Sequence, residues 1–471
     1  MNYSEYPYYT NQGWINPKNP ASRFTFLEDS YQGSGGYATG AYLIPNKREK
    51  QVDFEVRKMR SRIINHFKPI VDGMVTPIFR GSPTREFGNE DITMSQAEAV
   101  AMFLSDCDGS GTSFEDFMKK CARSSRKYDS TFVLIDNKAI TGYLTEADLQ
   151  ERNNLPYLVN ITPDRIVEVS MDEAGNVRDI QWITYEIVED VGKVPVDVFW
   201  SATHWRKEVK GEIIEQAENE LGFVPVFPLY PCDNEDYTTD PMPYGLSFSL
   251  ASIQYNLFNL ASAINQIAED QAYSILCFPG EAAELTLGTN NALVGYGKDG
   301  NEPKFISPDA GQLDTLYDKL FTGMVNEMYS TASMNHLRTF QQSADSKRLD
   351  NERTYEVLID FREQIATLDK KLIASLGLYL GVDLEYSVSY PHNFGIKNLE
   401  QDIEVFGALQ GTAPTEVISE IVKRIKNASL TGNSPEKMEA LDLIIDNYYK
   451  LLNTEPVAEE QVAVEDEEPT N

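Results

Sequence analysis

A chain of 471 residues has room for two to four compact units at roughly 150 residues each. Its 41 basic against 73 acidic side chains give a formal net charge of -32, which repels nucleic acid and anionic membrane and excludes a duplex-gripping surface, though not one that DNA slides past. No uncharged apolar run reaches the roughly 18 to 20 residues of a membrane span. Cys107, Cys121, Cys232 and Cys277 follow no paired spacing, and Met1-Asn2-Tyr3-Ser4-Glu5 lacks the blocks of a signal peptide, so a soluble, reduced, intracellular assembly is expected.

Residues 1–50 are rich in Tyr, Asn, Pro and Gly without a sustained period. They read as an N-terminal arm whose Tyr6, Tyr8, Tyr9 and Trp14 would order against a neighbouring subunit. From Val52 to about Val75 a helical pattern runs through Phe54, Met59, Ile63, Phe67 and Ile70, with Arg57, Lys58, Arg60 and Arg62 on its polar side. Met94–Leu104 and Phe114–Lys127 read as further helices, the second capped by Ser113. The period then falls to two over Thr131–Ile135, Tyr157–Ile161, Ile166–Val169, Ile180–Ile187 and Val196–Trp200. Asp172-Glu173-Ala174-Gly175-Asn176 reads as a hairpin turn, and the prolines of Leu221–Pro228 keep that stretch extended. An α+β unit is expected over about 50 to 235.

The most regular feature follows. Leu246, Leu250, Ile253, Leu257, Leu260, Ile264 and Ile267 recur at spacings of four and three, a heptad seam about 22 residues, or about 33 Å, long. So narrow a stripe is expected to bury against another long element and not against a broad core. After Cys277-Phe278-Pro279-Gly280 comes a stretch punctuated by Gly, Asn and Pro up to Pro308. A second apolar run follows (Leu313, Leu316, Leu320, Met324, Met328), then a polar loop. A long helix is expected from about Ser343 to Leu380, striped by Leu358, Phe361, Ile365, Leu368, Leu372, Ile373 and Leu376 and stopping near Gly381. Beyond a strand at Leu384–Tyr390 come two helices, about 398–426, interrupted at Gly411–Pro414, and 435–452. The residues after Thr454 are expected to form a disordered acidic tail.

A search for chemistry returns little. Asp106-Cys107-Asp108-Gly109-Ser110-Gly111-Thr112 resembles the first half of an EF-hand loop, but the position of the closing bidentate Glu is Phe117. A Gly-rich turn leading into a helix cap is the expected structure. Gly33-Ser34-Gly35-Gly36 follows no strand and is read as part of a flexible arm, not a dinucleotide loop. His66, His204, His336 and His392 have no metal-ligand spacing, and neither a Gly-x-Ser-x-Gly elbow nor a Walker A run occurs. No catalytic residue, cofactor or metal is expected. The polar segment Asn335-His336-Leu337-Arg338-Thr339-Phe340-Gln341-Gln342-Ser343 stands apart: between rods arranged in a ring it would project towards the axis. There Arg338, Lys347 and Arg348 would touch phosphates lightly.

The order of these elements resembles the portal proteins of tailed bacteriophages, the ring at one capsid vertex through which DNA enters and leaves. Tyr42-Leu43-Ile44-Pro45-Asn46-Lys47 precedes an Arg-bearing helix ending in Val71-Asp72-Gly73-Met74-Val75-Thr76-Pro77-Ile78-Phe79-Arg80. Phe114-Glu115-Asp116-Phe117 opens a helix leading to Thr131-Phe132-Val133-Leu134-Ile135-Asp136. Leu155-Pro156-Tyr157-Leu158 leads to Ile161-Thr162-Pro163-Asp164-Arg165-Ile166, and Glu220-Leu221-Gly222-Phe223-Val224-Pro225-Val226 precedes the heptad helix. The likeness covers about residues 40 to 450.

The resemblance implies a wing over 51–240, a stem helix at 246–269 and a clip at 270–310. A second stem helix follows at 311–333, then a tunnel loop at 334–345 with His336 to Gln342, Lys347 and Arg348 at the channel. The long wing helix and strand are implied over 346–397, and a short helical crown over 398–453. It further implies a virion protein, assembled in the host cytoplasm as a ring of about twelve copies. Its partners would be double-stranded DNA, the terminase large subunit, a head-tail adaptor, and the major capsid and scaffold proteins. Two other readings stay open: a virion connector or scaffold protein without a channel, and an intracellular calcium-dependent hydrolase with Asp106 and Asp108 as ligands.

Overall fold

The computed structural model describes residues 20–46, 49–88, 92–137, 154–188, 192–233, 235–272, 275–277, 304–306, 310–335, 344–391, 406–409, 414–429 and 435–454. The chain is α+β and divides into two units, Met1–His392 and Asn393–Asn471.

Residues 20–46 belong to the folded body and do not form an arm. Here α1 (Pro20–Gln32), α2 (Gly36–Thr39) and the residues after it bury Phe24, Phe26, Leu27, Tyr31, Tyr37, Tyr42 and Leu43. Tyr37 meets Tyr42 and Phe258 edge-on, with ring centroids 4.8 and 5.1 Å apart, a geometry the aromatic quadrupole favours. The glycine run is a tight turn and not a flexible segment. Gly36 N–H donates to Asp29 Oδ2 at 3.0 Å, and a Cβ on Gly36 would lie 2.2 Å from the Tyr42 ring. Tyr6, Tyr8, Tyr9 and Trp14 lie outside the described residues.

The single helix expected over Val52–Val75 is two helices, α3 (Gln51–Arg60) and α4 (Phe67–Val75). At Ser61 the backbone turns extended, φ −68 and ψ 135, and Ser61 Oγ donates back to Arg57 O at 2.8 Å. The backbone groups this break exposes find a side-chain partner: Gln254 Oε1 accepts from His66 N at 2.7 Å, and Gln254 Nε2 donates to Ile64 O at 2.8 Å. Arg57, expected on the solvent face, is buried. Its Nε and Nη2 each donate to Glu49 at 2.7 Å, and Nη2 also reaches Ile44 O at 2.7 Å. Periodicity assigns faces by residue type and cannot register a carboxylate waiting on the preceding loop.

After β1 (Thr84–Phe87), α5 (Met94–Ser105) opens on a Thr93–Gln96 capping box. Then α6 (Phe114–Tyr128) opens on Ser113, whose Oγ accepts from Asp116 N at 3.1 Å. The strands follow: β2 (Thr131–Asp136), β3 (Tyr157–Ile161), β4 (Ile166–Met171), β5 (Val177–Val188), β6 (Gly192–Ser201), β7 (His204–Val209), β8 (Glu212–Glu218) and β9 (Val226–Leu229). They form a three-stranded sheet in the order β3-β2-β9 and a five-stranded antiparallel meander from β4 to β8. The β4–β5 turn closes as its sequence implied, with Asp172 Oδ1 accepting from Ala174 and Asn176 N–H at 2.9 and 2.8 Å. Alternate residues Ile180, Trp182, Val196, Val198 and Trp200 pack against Phe132, Leu134, Ile161 and Val226 between the sheets. The strand β8 carries no sequence signal, because Glu-Ile-Ile-Glu-Gln-Ala-Glu does not alternate and Ile213 and Ile214 are each 53% exposed.

Four elements come next: α7 (Leu246–Ala272), β10 (Ile275–Cys277), β11 (Lys304–Ile306) and α8 (Ala310–Thr331). They lead to α9 (Ala344–Leu380), whose whole expected stripe, Leu358 to Leu376, is at most 2% exposed. The helix stops where Gly381 turns left-handed, and Val382 N–H donates to Gly377 O at 3.0 Å. A pairing across the unit follows, of β12 (Tyr386–Ser389) with β1. Asp369, on the buried face of α9, holds it there by accepting from Tyr386 Oη at 2.6 Å, Tyr390 Oη at 2.8 Å and Arg85 Nη2 at 3.2 Å.

In the second unit α10 (Thr415–Ser429) pairs with α11 (Pro435–Thr454). Lys426–Asp442 and Lys423–Asp446 ion pairs, 2.6 and 2.7 Å, flank the buried Ile418 and Ile421. The expected helix start at 398–405 and the acidic tail lie outside the described residues.

The Glu49 carboxyl is pushed up by burial but pulled down further by its bonds from Arg57 and Asn46 N–H, so it sits below its ordinary 4.5. The folded state therefore binds fewer protons, and this stabilisation, present above the ordinary value, is lost as pH falls through the depressed one. Glu49→Gln should lower stability by about 3 kcal/mol at pH 7. In urea unfolding, the gap to the parent chain should close below pH 4.5; a gap independent of pH would show that the charge contributes nothing.

Candidate assembly and channel elements

The start of α7 is set by the end of α6. Asp129 follows α6 in the left-handed region, φ 64, and its Oδ1 accepts from Ser247 N–H at 3.0 Å. One carboxylate thus caps the positive end of the next helix. Gly245 permits the approach, since a Cβ there would lie 2.5 Å from Asp129 Cγ. Burial raises the Asp129 pKa, and the hydrogen bonds from Ser247 and Phe248 only partly offset it. Beside it, burial lowers the Arg126 guanidinium to about 10 against the pull of Cys232 and Asp129. Arg126 Cζ sits 4.3 Å over the Phe361 ring and Nη2 donates to Val357 O at 3.3 Å, so this corner joins α6, α7 and α9.

Along its first half α7 is enclosed by α1, α3, α4 and α6. Its fully buried positions are Ser247, Leu250, Ala251, Gln254, Tyr255, Leu257, Phe258 and Ser262. Of the seven seam residues only Leu250 and Leu257 are among them, each 1% exposed, while Leu246, Ile253, Leu260, Ile264 and Ile267 are half-buried. The expectation of one narrow stripe against one rod is therefore corrected: the first half packs into a broad core, whose wide contact face is rotated off the heptad line. Ser247, Gln254 and Ser262 were missed. A signal existed in their recurrence at spacings of seven and eight on an apolar helix, where polar side chains need buried partners.

Antiparallel pairing of β10 with β11 places Cys277 opposite Lys304. The ends of the expected clip therefore meet, and α7 and α8 pack together. At about 1.5 Å per residue α7, α8 and α9 span about 40, 33 and 55 Å. The C-terminal part of α8 buries Val325, Met328 and Tyr329, whereas Leu320 is 44% exposed and Met324 half-buried. A left-handed Ser333, φ 54, ends α8, and Thr354 Oγ1 of α9 donates to its carbonyl. His336, Leu337, Arg338, Thr339, Phe340, Gln341 and Gln342 lie outside the described residues, as do the side chains of Lys347 and Arg348, whose backbone is in α9.

The EF-hand-like loop spends its carboxylates on itself. Asp106 Oδ1 accepts from Gly111 N–H at 2.9 Å and Asp108 Oδ1 from Ser110 N–H at 2.9 Å. Burial pushes Asp108 up, but bonds from Thr112 and Ser110 bring it below its ordinary value. No group of three or more side chains able to hold a metal ion occurs among the described residues, and none of their helices is long and apolar enough to cross a membrane. No disulfide joins Cys107, Cys121 and Cys232.

No family model and no curated protein matches the chain. Among solved structures, the chain is similar to one in the neck of an empty GTA particle with C6 symmetry. That match has 11% identity and a TM-score of 0.44, and covers 84% of this chain and 98% of the other. A chain in the neck of a native GTA particle with C12 symmetry matches at 12% identity and a TM-score of 0.40, covering 79% and 88%. A third, in the virion of a native gene transfer agent particle, matches at 11% and 0.42, covering 89% and 98%.

The α6–α7 cap is directly testable. Asp129→Ala should cost about 2–3 kcal/mol in thermal or urea unfolding, since it removes a helix cap and replaces a side chain that tolerates the left-handed region with one that tolerates it less well. Asp129→Asn keeps an acceptor and tolerates that conformation, so its loss should be clearly smaller; equal losses would show that the cap is not the source.

Proposed function

We propose that this chain is a portal-type subunit. Copies of it form a ring of about twelve at one capsid vertex, through which double-stranded DNA is packaged and ejected. The chain itself catalyses nothing. The reading is carried by the α7–α8 hairpin. Two long helices are joined through a strand pair, and α7 sinks its first half into an α+β body. The remainder leaves Ile264, Ile267, Leu320 and Met324 part-exposed, apolar surface that a neighbouring copy would cover. A closed ring needs such heterologous contacts, one face of each copy meeting a different face of the next.

The charge supports the same reading. A surface of net charge -32 offers duplex DNA no deep binding minimum at any register, so a motor can move the duplex without stalling. On this reading His336 to Gln342, with Lys347 and Arg348, face the channel. Residues 278–303, whose flanking strands meet, meet the terminase large subunit or a head-tail adaptor. The major capsid and scaffold proteins contact the ring from outside, and the assembly resides in the virion.

Electron microscopy of the purified chain should show rings with a duplex-wide central hole. Pore-free particles would favour a connector or scaffold, and a lone monomer would end the reading. Leu320→Asp should keep the parent unfolding free energy within about 0.5 kcal/mol yet stay monomeric by light scattering, whereas Leu257→Asp should fail to fold. Deleting Leu337–Gln342 should spare the ring and impair DNA packaging; normal packaging would remove the loop from the channel.

A further inference from the structure

A cleft of about 1170 Å³ opens where the five-stranded sheet extends past the three-stranded one. The inter-sheet core draws fully on β5 and β6, on half-buried Trp205 and Val209 of β7, and on nothing from β8. Among the described residues, the outer strands therefore present an inner face with no strand opposite it. Register puts Trp200 beside Trp205, Trp205 beside Ala217, and Lys207 beside Glu215 on that face. The final turns of α9, with Asp383 beyond them, supply the facing wall.

Three features of the lining point to one ligand chemistry. Trp205 supplies an aromatic face, its ring backed by the buried Trp200 with centroids 5.9 Å apart at 15°, and Lys207 Nζ already lies 5.8 Å from its centroid. Acidic residues line the cleft at Asp136, Glu215, Glu220 and Asp383, with no Lys or Arg among the described lining residues. Lys207, whose Nζ lies 2.8 Å from Glu215 Oε2, offsets one of these charges. Finally, Asn137 lines the cleft with both Oδ1 and Nδ2 buried and lacking a hydrogen-bond partner among the described residues. The neighbouring Asp136 is already held by Tyr157 Oη at 2.9 Å and Asn137 N–H at 2.7 Å, so the amide is the group that awaits a ligand.

We propose that this cleft receives an arginine side chain carried on a peptide segment of a partner protein. A guanidinium is planar and cationic. It stacks on an indole face and presents a fork of donors for a carboxylate and the Asn137 Oδ1 together. The compact lysine ammonium does neither as well. Asn137 Nδ2 needs an acceptor, which a peptide carbonyl supplies and a free polyamine lacks. The cleft is also larger than one side chain, which leaves room for the flanking residues. The site belongs to a single subunit and does not depend on ring formation.

The test titrates the full chain with an acetylated, amidated Gly-Ser nonapeptide bearing a central Arg-Gly-Arg, followed by calorimetry and tryptophan emission. Binding should saturate and shift the emission, and citrulline or lysine in place of arginine should each weaken it at least about tenfold. Asn137→Ala and Trp205→Leu should weaken it as much, and Asp318→Asn, an exposed acid elsewhere, should not. Asn137→Ala should also leave the melting temperature of the free chain unchanged or raised. Trp205→Phe keeps an aromatic face and should retain most binding even if Trp205→Leu proves poorly folded. The proposal is overturned by equal binding of the citrulline peptide, by methylguanidine binding as tightly as the peptide, by unchanged binding to Asn137→Ala, or by equal weakening in Asp318→Asn.

Discussion

Much of the first unit depends on how α7 is fastened by polar groups inside an apolar environment. Ser247 is held by Asp129 and the Arg126 carbonyl, Gln254 by the backbone of Ile64 and His66, and Ser262 by Arg57 and Ser61. Each is buried, and a buried polar group is tolerated only where its partner is in place. Three such groups on one helix leave a single rotation and a single axial position that satisfies all of them. Hydrophobic contact alone would permit a slide or a small roll.

That fastening has consequences in both directions along the chain. Towards the N-terminus it ends α3 at Ser61, draws Arg57 inward onto Glu49, and holds residues 20–46 against the same face of α7 through Asn259, which binds Ile44 N–H and the Tyr42 carbonyl. Towards the C-terminus it fixes the base from which α7 runs to β10 and returns as α8. The apolar side chains beyond the base stay part-exposed because the body offers them nothing to pack on. A helix pair held firmly at its base and apolar beyond it suits lateral association between copies.

A second kind of constraint acts where the sheets end. The core between them is built by strict alternation and closes tightly around Trp182 and Trp200. β7 and β8 extend that sheet without extending the core, which turns an otherwise ordinary meander into one wall of a cleft. Charged residues occupy inward positions there, Lys207 with Glu215, in the way outer strands use charge to resist unwanted pairing.

Amino-acid order alone determined the elements whose signals are local. The caps at Ser113 and Asp172, the alternation through β2 to β6, the buried stripe of α9 and its stop at Gly381 each depend on near neighbours in the chain. It also marked α7 and α8 as long helices and left no catalytic motif to explain. Tertiary structure decided the rest, because those outcomes depend on partners far away in sequence. The arm became core when its aromatics met α7, and one helix became two when Gln254 accepted the broken backbone. A surface arginine became buried once Glu49 was there to neutralise it, and the heptad stripe turned partly outward because four helices enclosed a different face. The strand β8 carries no alternation, since it is exposed on both sides, and only pairing with β7 reveals it. The cleft is the clearest case, for it arises from two sheets of unequal width.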